Sequence, residues 1–331
     1  MLRIRRLAAV SLAAALIPAW AAVSAQAAPT ARAVAPSHTT TPLMLMRPAT
    51  DDPGLRGKLA PVTGVVPGLT GPAAQRLVGP AATAFRAEHA VASREGSQAA
   101  LAPAATSHAT TIHNAWGIFP GSNADTGMMA DQSIVPNLTL SGQEFLYAPT
   151  LKAPDGSCAE LTTAYTPSGA FLWAWDWCVA IDAAKTVPLN ASFVSTYTTT
   201  VNGHPAYTMY EAQSSAATNT WSIYLYNYTT HAYDLFYRQS GTDQSGAPEG
   251  WDVYEVYTTP ATTGANGPYC SKIAGDTFES SHIQIYYSGA WHAATTSNAP
   301  GLQPIPSGSA LGCSSLKFSV PTANSDWVVA N

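Results

Sequence analysis

The stretch FLWAWDWC (residues 171–178) sets three tryptophans at alternate positions, with one carboxylate between two of them. Alternation is the period of a β-strand, whose successive side chains point to opposite faces. Phe171, Trp173, Trp175 and Trp177 then share one face, and Leu172, Ala174, Asp176 and Cys178 share the other. Such an aromatic row is either the bottom of a core or the floor of a binding groove. The rest of the chain decides which reading the row supports.

Outward from this strand, short aromatic and β-branched runs follow one another from residue 112 onward, separated by turn residues. They include GQEFLYAP, AELTTAYT, SFVSTYTTTV, AYTMYEAQ, TWSIYLYNYT, AYDLFYRQ, WDVYEVYTT, SHIQIYYSG and LKFSV. Asn202-Gly203, between two such runs, is a strong hairpin signal. Many short strands with regular turns and no helical-period run predict an all-β fold, a two-sheet β-sandwich, over 111–331. No internal repeat marks a propeller or a solenoid.

The N-terminal part reads differently. Arg3, Arg5 and Arg6 precede an apolar run, and Ala25-Gln26-Ala27 is a small-residue cleavage site, so 1–27 is expected to be a signal peptide and the protein secreted. Residues 28–110 are rich in Ala, Pro, Thr and Gly, and read as a flexible linker or a pro-segment. This region through residue 110 holds ten Lys/Arg against four Asp/Glu, whereas 111–331 holds five against sixteen. An acidic domain disfavours nucleic acid and anionic membranes as partners. No later stretch approaches the roughly 18 apolar residues of a membrane span.

The four cysteines, all beyond residue 150 in a chain bound for an oxidising space, read as two disulfides. Of three possible pairings, Cys158–Cys178 and Cys270–Cys313 are favoured, because each closes one plausible loop excursion. There is no C-x-x-C, no H-E-x-x-H, no G-x-S-x-G and no phosphate-binding glycine loop, so neither a metal nor a cofactor is expected.

Period-two reading of the strands nominates the functional side chains. Trp173, Trp175 and Trp177, with the ladder Tyr224, Tyr226 and Tyr228 and with Trp251, form a candidate platform for ligand binding. Rings that stack on the C–H face of a sugar and carry a polar handle suit an extracellular glycan. Each ring also fits ordinary cross-strand packing, but a core would leave many of their hydroxyl and indole N–H groups to satisfy. Asp176, Glu211, Asp252 and Glu255 stand inside apolar strands, where a carboxylate is costly unless paired or facing a wet cleft. Burial there raises a carboxyl pKa, as a general acid requires. Glu211 and Glu255 each share a face with aromatic neighbours and form the candidate catalytic pair, with Asp176 read as structural.

Two segments, ATNTWSIYLYNYTTHAYDLFYRQSG (residues 217–241) and EGWDVYEVY (249–257), resemble the eqolisin family of glutamic peptidases. The resemblance implies a secreted enzyme with a cleaved pro-segment, a two-sheet jelly roll and a Glu/Gln dyad acting in acid. On this chain the dyad would fall to Glu255 or Glu249 with a glutamine such as Gln284. The same fold resembles lectin-like jelly-roll carbohydrate-binding proteins, an analogy of fold rather than of site. The leading expectation is therefore a secreted carbohydrate-binding or carbohydrate-processing protein. The alternatives are an acid-active endopeptidase with a polypeptide substrate and a non-catalytic surface interaction protein.

Overall fold

The computed structural model describes residues 62–79, 81, 83, 111–121 and 125–331. The expected signal peptide and most of the expected linker or pro-segment lie outside the described residues. From residue 111 on, the chain forms a two-sheet β-sandwich, as the strand pattern predicts.

The smaller sheet runs in the order β16 (Gly301–Leu302), β3 (Ile112–Phe119), β13 (Trp251–Thr258), β5 (Phe145–Lys152), β6 (Ala159–Thr166), β7 (Gly169–Asp176), β8 (Asp182–Pro188) and β2 (Leu69–Thr70). The larger runs β1 (Val62–Val65), β12 (Ala232–Ser240), β11 (Thr220–Asn227), β10 (His204–Ser215), β4 (Gly127–Ser133), β14 (Thr277–Tyr287), β18 (Trp327–Ala330) and β17 (Lys317–Ser319). Two short strands, β9 (Thr199–Val201) and β15 (Ala290–Ala293), pair with β10 and β14. The β9–β10 hairpin turns on Asn202 (φ 49°) and Gly203 (φ 90°), two successive left-handed residues that match the twist of the strands they join.

The core between the sheets takes one face of each strand. Leu161, Tyr165, Leu172 and Ala174 of the smaller sheet meet Tyr207, Met209, Trp221, Ile223, Leu225, Ile283 and Ile285 of the larger. The opposite face of β7 is just as apolar. Phe171, Trp173 and Trp175, with Trp177 beyond the strand end, turn outward into a second cluster with Phe145, Tyr147 and Tyr257.

The described residues from 62 on run from the edge of the larger sheet to that second face. β1 adds a parallel edge strand to β12, with Val62 opposite Tyr233 and Val65 opposite Leu235. The chain then crosses to the smaller sheet, where Leu69 pairs with Thr186 and Thr70 with Lys185. The crossing is tight: a Cβ on Gly68 would stand 2.7 Å from Val187 Cγ2 and 2.8 Å from Lys185 Cε. Lys185 ties it down, its Nζ donating to the carbonyls of Val66 and Phe236. A helix over 71–79 follows, and buries Ala74 and Val78 on one stripe, with Ala81 continuing it. Val78 and Ala81 pack in the aromatic cluster of the smaller sheet.

Both disulfides form as expected, Cys158–Cys178 and Cys270–Cys313. Asp176 serves the first as a turn anchor, accepting from the N–H groups of Cys178 and Val179 and from Gln239 Nε2. Non-reducing peptide mapping is expected to recover these two pairs, and replacing either pair by serines to lower the unfolding free energy by about 2–5 kcal/mol in denaturant titration.

Candidate active site

The outer face of the smaller sheet brings two carboxylates into one aromatic field. Glu255 on β13 lies opposite Tyr147 on β5, and Glu160 on β6 lies opposite Trp175 on β7. The charges of both glutamates push the Tyr147 phenol in the same direction, well above its ordinary value, after burial itself. Both carboxylates are buried, Glu160 at 2% and Glu255 at 6% exposure.

Their surroundings differ. Glu160 is gripped by three neutral donors: Thr150 Oγ1 and Trp251 Nε1 (2.9 Å) donate to Oε1, and Trp177 Nε1 (2.9 Å) donates to Oε2. Burial and then the charge of Glu255 nevertheless raise its pKa to about 7, against the donors' opposite pull. Glu255 Oε1 instead meets His113 Nε2 at 2.6 Å and accepts from the Tyr257 hydroxyl at 2.8 Å. One carboxyl is thus built to hold a proton into the neutral range, while the other sits against a base that carries a charge once protonated.

The rings form an almost continuous floor. Tyr257 packs on Tyr147 (5.4 Å between centroids) and Tyr147 on Trp173 (5.6 Å). Trp175 meets Trp177 (6.2 Å), which meets Trp251 edge-on (5.8 Å). Lys152 is buried beside Trp251, its ammonium 5.1 Å from that ring and 3.1 Å from Asp243 Oδ2 in the loop before β13. The Trp173 indole N–H is buried without a hydrogen-bond partner, in the cluster where Val78 and Ala81 pack.

The structure separates residues that the sequence reading joined. Trp173, Trp175, Trp177, Trp251 and Glu255 do share this face. Tyr224 and Tyr226 lie on the outer face of the larger sheet, where Tyr224 stacks on Tyr210 (4.6 Å) and Tyr226 packs on Tyr228 (4.9 Å) and Tyr233. The tryptophan and tyrosine rows are therefore not one platform, because their strands belong to different sheets. Glu211 faces the space between the sheets, accepting from Ser157 Oγ and from Ala153 N (2.7 Å), with burial raising its pKa to about 8. Gln284 pairs opposite Met129 in the larger sheet, and its buried amide has no hydrogen-bond partner. Neither residue joins Glu255. Glu249 lies in the loop before β13. Among the described residues no group of side chains has the composition to hold a metal ion, and no helix is long and apolar enough to cross a membrane.

Sequence reasoning passed over Glu160 and His113. Glu160 obeys the rule that singled out Glu255, a carboxylate inside an apolar strand, and lies two residues from Cys158 in AELTTAYT.

No protein-family model and no curated protein matches the chain. Among solved structures it is similar to scytalido-glutamic peptidase with a peptide-based transition-state analogue (14% identity, TM-score 0.38) and with a transition-state analogue inhibitor (13%, 0.38). It is also similar to SCP-B, a member of the eqolisin family of peptidases, in complex with the tripeptide Ala-Ile-His (13%, 0.37). Each match covers 67% of this chain and 99% of the other.

Three fully buried carboxyls give the fold a pH signature. Burial raises Glu160 to about 7, Glu211 to about 8 and Asp252 to about 7, from ordinary values of 4.5, 4.5 and 3.8. The folded state therefore binds these protons more tightly than the unfolded chain does. Their contribution is complete below the ordinary carboxylate range and is lost as pH rises through the folded values. Urea titrations across pH are expected to show greatest stability in acid and a fall toward neutral and mildly alkaline pH, each group contributing on the order of a few kcal/mol. Glu211→Gln should flatten part of that fall; an equally steep fall in the variant contradicts the assignment.

Proposed function

We propose that the outer face of the smaller sheet is the active site of an acid-active hydrolase that cleaves polypeptides, with Glu160 and Glu255 as its catalytic residues and the segment 62–83 as a cover that closes it. The observation that carries the reading is the pairing of two buried carboxyls, in unlike environments, beneath a length of polypeptide already lying across the face.

The chemistry follows from the two environments. Glu255, ionised beside His113, takes a proton from a water molecule as its oxygen attacks the scissile carbonyl carbon. Glu160, which keeps its proton through the acid range, delivers it to the departing amide nitrogen as the C–N bond breaks. The proton gained by Glu255 then returns the pair to its starting state. Such general acid–base steps want one carboxyl protonated and one ionised at the working pH. The tryptophan row would hold apolar substrate side chains, and the Trp173 N–H would find in the substrate the acceptor that it lacks.

A second reading keeps one observation of its own. Tyr226, Tyr228 and Trp291 are half-buried on the outer face of the larger sheet, where a neutral glycan would find rings to stack on without the carboxylate pair.

Val78→Glu places a polar carboxyl in the aromatic cluster, a cost that favours release of the cover whether the group is ionised or protonated. Full-length V78E, checked for a cooperative melt, is expected to hydrolyse unfolded casein in acid well above the parent rate. Adding Glu160→Gln should lower kcat/KM by about 10²–10⁴-fold. A folded V78E that cleaves nothing, or a double variant as active as V78E, would falsify the hydrolytic reading. Glycan binding that survives Glu160→Gln would support the second reading instead.

A further inference from the structure

We infer that His113 is a positioning residue for Glu255: its imidazole fixes that side chain as the ionised member of the pair and so sets the acid limb of the site's activity. The inference rests on the hydrolytic reading above and assigns its pH control to a residue outside the carboxylate pair.

His113 reaches Glu255 from the neighbouring strand. It stands on β3 directly opposite Tyr257, and its ring stacks on the Tyr257 ring at 4.1 Å with planes 16° apart. The stack aims Nε2 along the sheet at Glu255 Oε1, at 2.6 Å, a close contact for an imidazole–carboxylate pair. Tyr257 donates to the same oxygen at 2.8 Å. Two donors converging on Oε1 hold the carboxylate in one orientation. The side chains of His113 and Glu255 are 12% and 8% exposed, so solvent screens the pair little.

Among the described residues, His113 has titratable neighbours on the adjacent strand. β13 brings Glu255 and Tyr257 beside it. β16 and the 3₁₀ turn Gly308–Leu311, which also pack on β3, carry no ionisable side chain. Across the face, Glu160 feels the charge of Glu255. The His113 ring sits behind Glu255, on the side of β13 away from β6 and from the repulsion between the two carboxyls. Protonated, it offsets that repulsion and lets Glu255 stay ionised in acid while Glu160 keeps the proton.

The test uses the full-length V78E protein and compares pH profiles of kcat/KM on casein. His113→Phe retains a ring to stack on Tyr257 but removes the nitrogen donor. The acid limb of its profile is expected to move up by about 1 pH unit or more, the scale of losing an adjacent opposite charge, with activity recovering above the limb. An unmoved limb, or a uniform loss at every pH, overturns the inference while leaving the hydrolytic reading standing. Should folded V78E hydrolyse nothing, the reading beneath it fails. The contact itself is still tested by the downfield imidazole N–H proton resonance of His113, which Glu255→Leu should abolish and which, if it persists, overturns the pairing as well.

Discussion

A β-strand has two faces, and on β7 both are apolar. Leu172 and Ala174 fill the space between the sheets, while Phe171, Trp173 and Trp175 point away from it. Large indole surfaces turned outward must find a partner other than water, since burial of such area is the main favourable term in folding. The second sheet cannot serve, because it already covers the first face. The chain supplies the partner from its own N-terminal side, with Ala74, Val78 and Ala81 as the buried stripe. The edge pairing of β1 and β2, the close crossing at Gly68 and the carbonyl contacts of Lys185 all follow from holding that stripe in place.

The same closed environment is what differentiates the two glutamates. In water, Glu160 and Glu255 would titrate alike. In the fold, the groups that meet them differ in kind. Glu160 has only neutral donors and a repelling neighbour, which is why burial dominates its proton affinity. Glu255 has an imidazole at contact distance. Glu211, also buried and hydrogen-bonded, lies between the sheets rather than on the aromatic face, so a raised proton affinity is not peculiar to that face. The difference lies in which face of the strand the carboxyl occupies.

Much of the fold was legible because its signals are local. The alternation in residues 171–178, the Asn202-Gly203 turn and the cysteine pairs each depend on a few adjacent residues or on one loop. Period two shows which side chains share a face, and that grouping held for Trp173, Trp175 and Trp177 with one another, and for Trp251 with Glu255. It does not show what lies against the face. The tryptophan and tyrosine rows read as one platform because both alternate, yet strand order sends them to opposite outer surfaces. Glu211 resembled Glu255 in pattern and differs from it only in direction. Glu160 and His113 were hidden by separation along the chain, since each acquires meaning only when β6 and β3 are laid on either side of β5 and β13. The cover was hardest to see. Its alanines and valine make a weak apolar stripe, and its breakers resemble those of a linker.

The two strands donated by residues 62–70 have a consequence for the molecule's company. β12 and β8 would otherwise be the last strands of their sheets on the same side of the sandwich, each presenting a row of unpaired N–H and C=O groups. Such rows are templates on which another chain can add a strand. A protein that sheds this segment gains two adhesive rims side by side, close enough that Lys185 of β8 reaches a carbonyl of β12. Removing the cover would therefore also change how readily copies associate, and a low protein concentration or a replacement strand would be needed to keep the uncovered form dispersed.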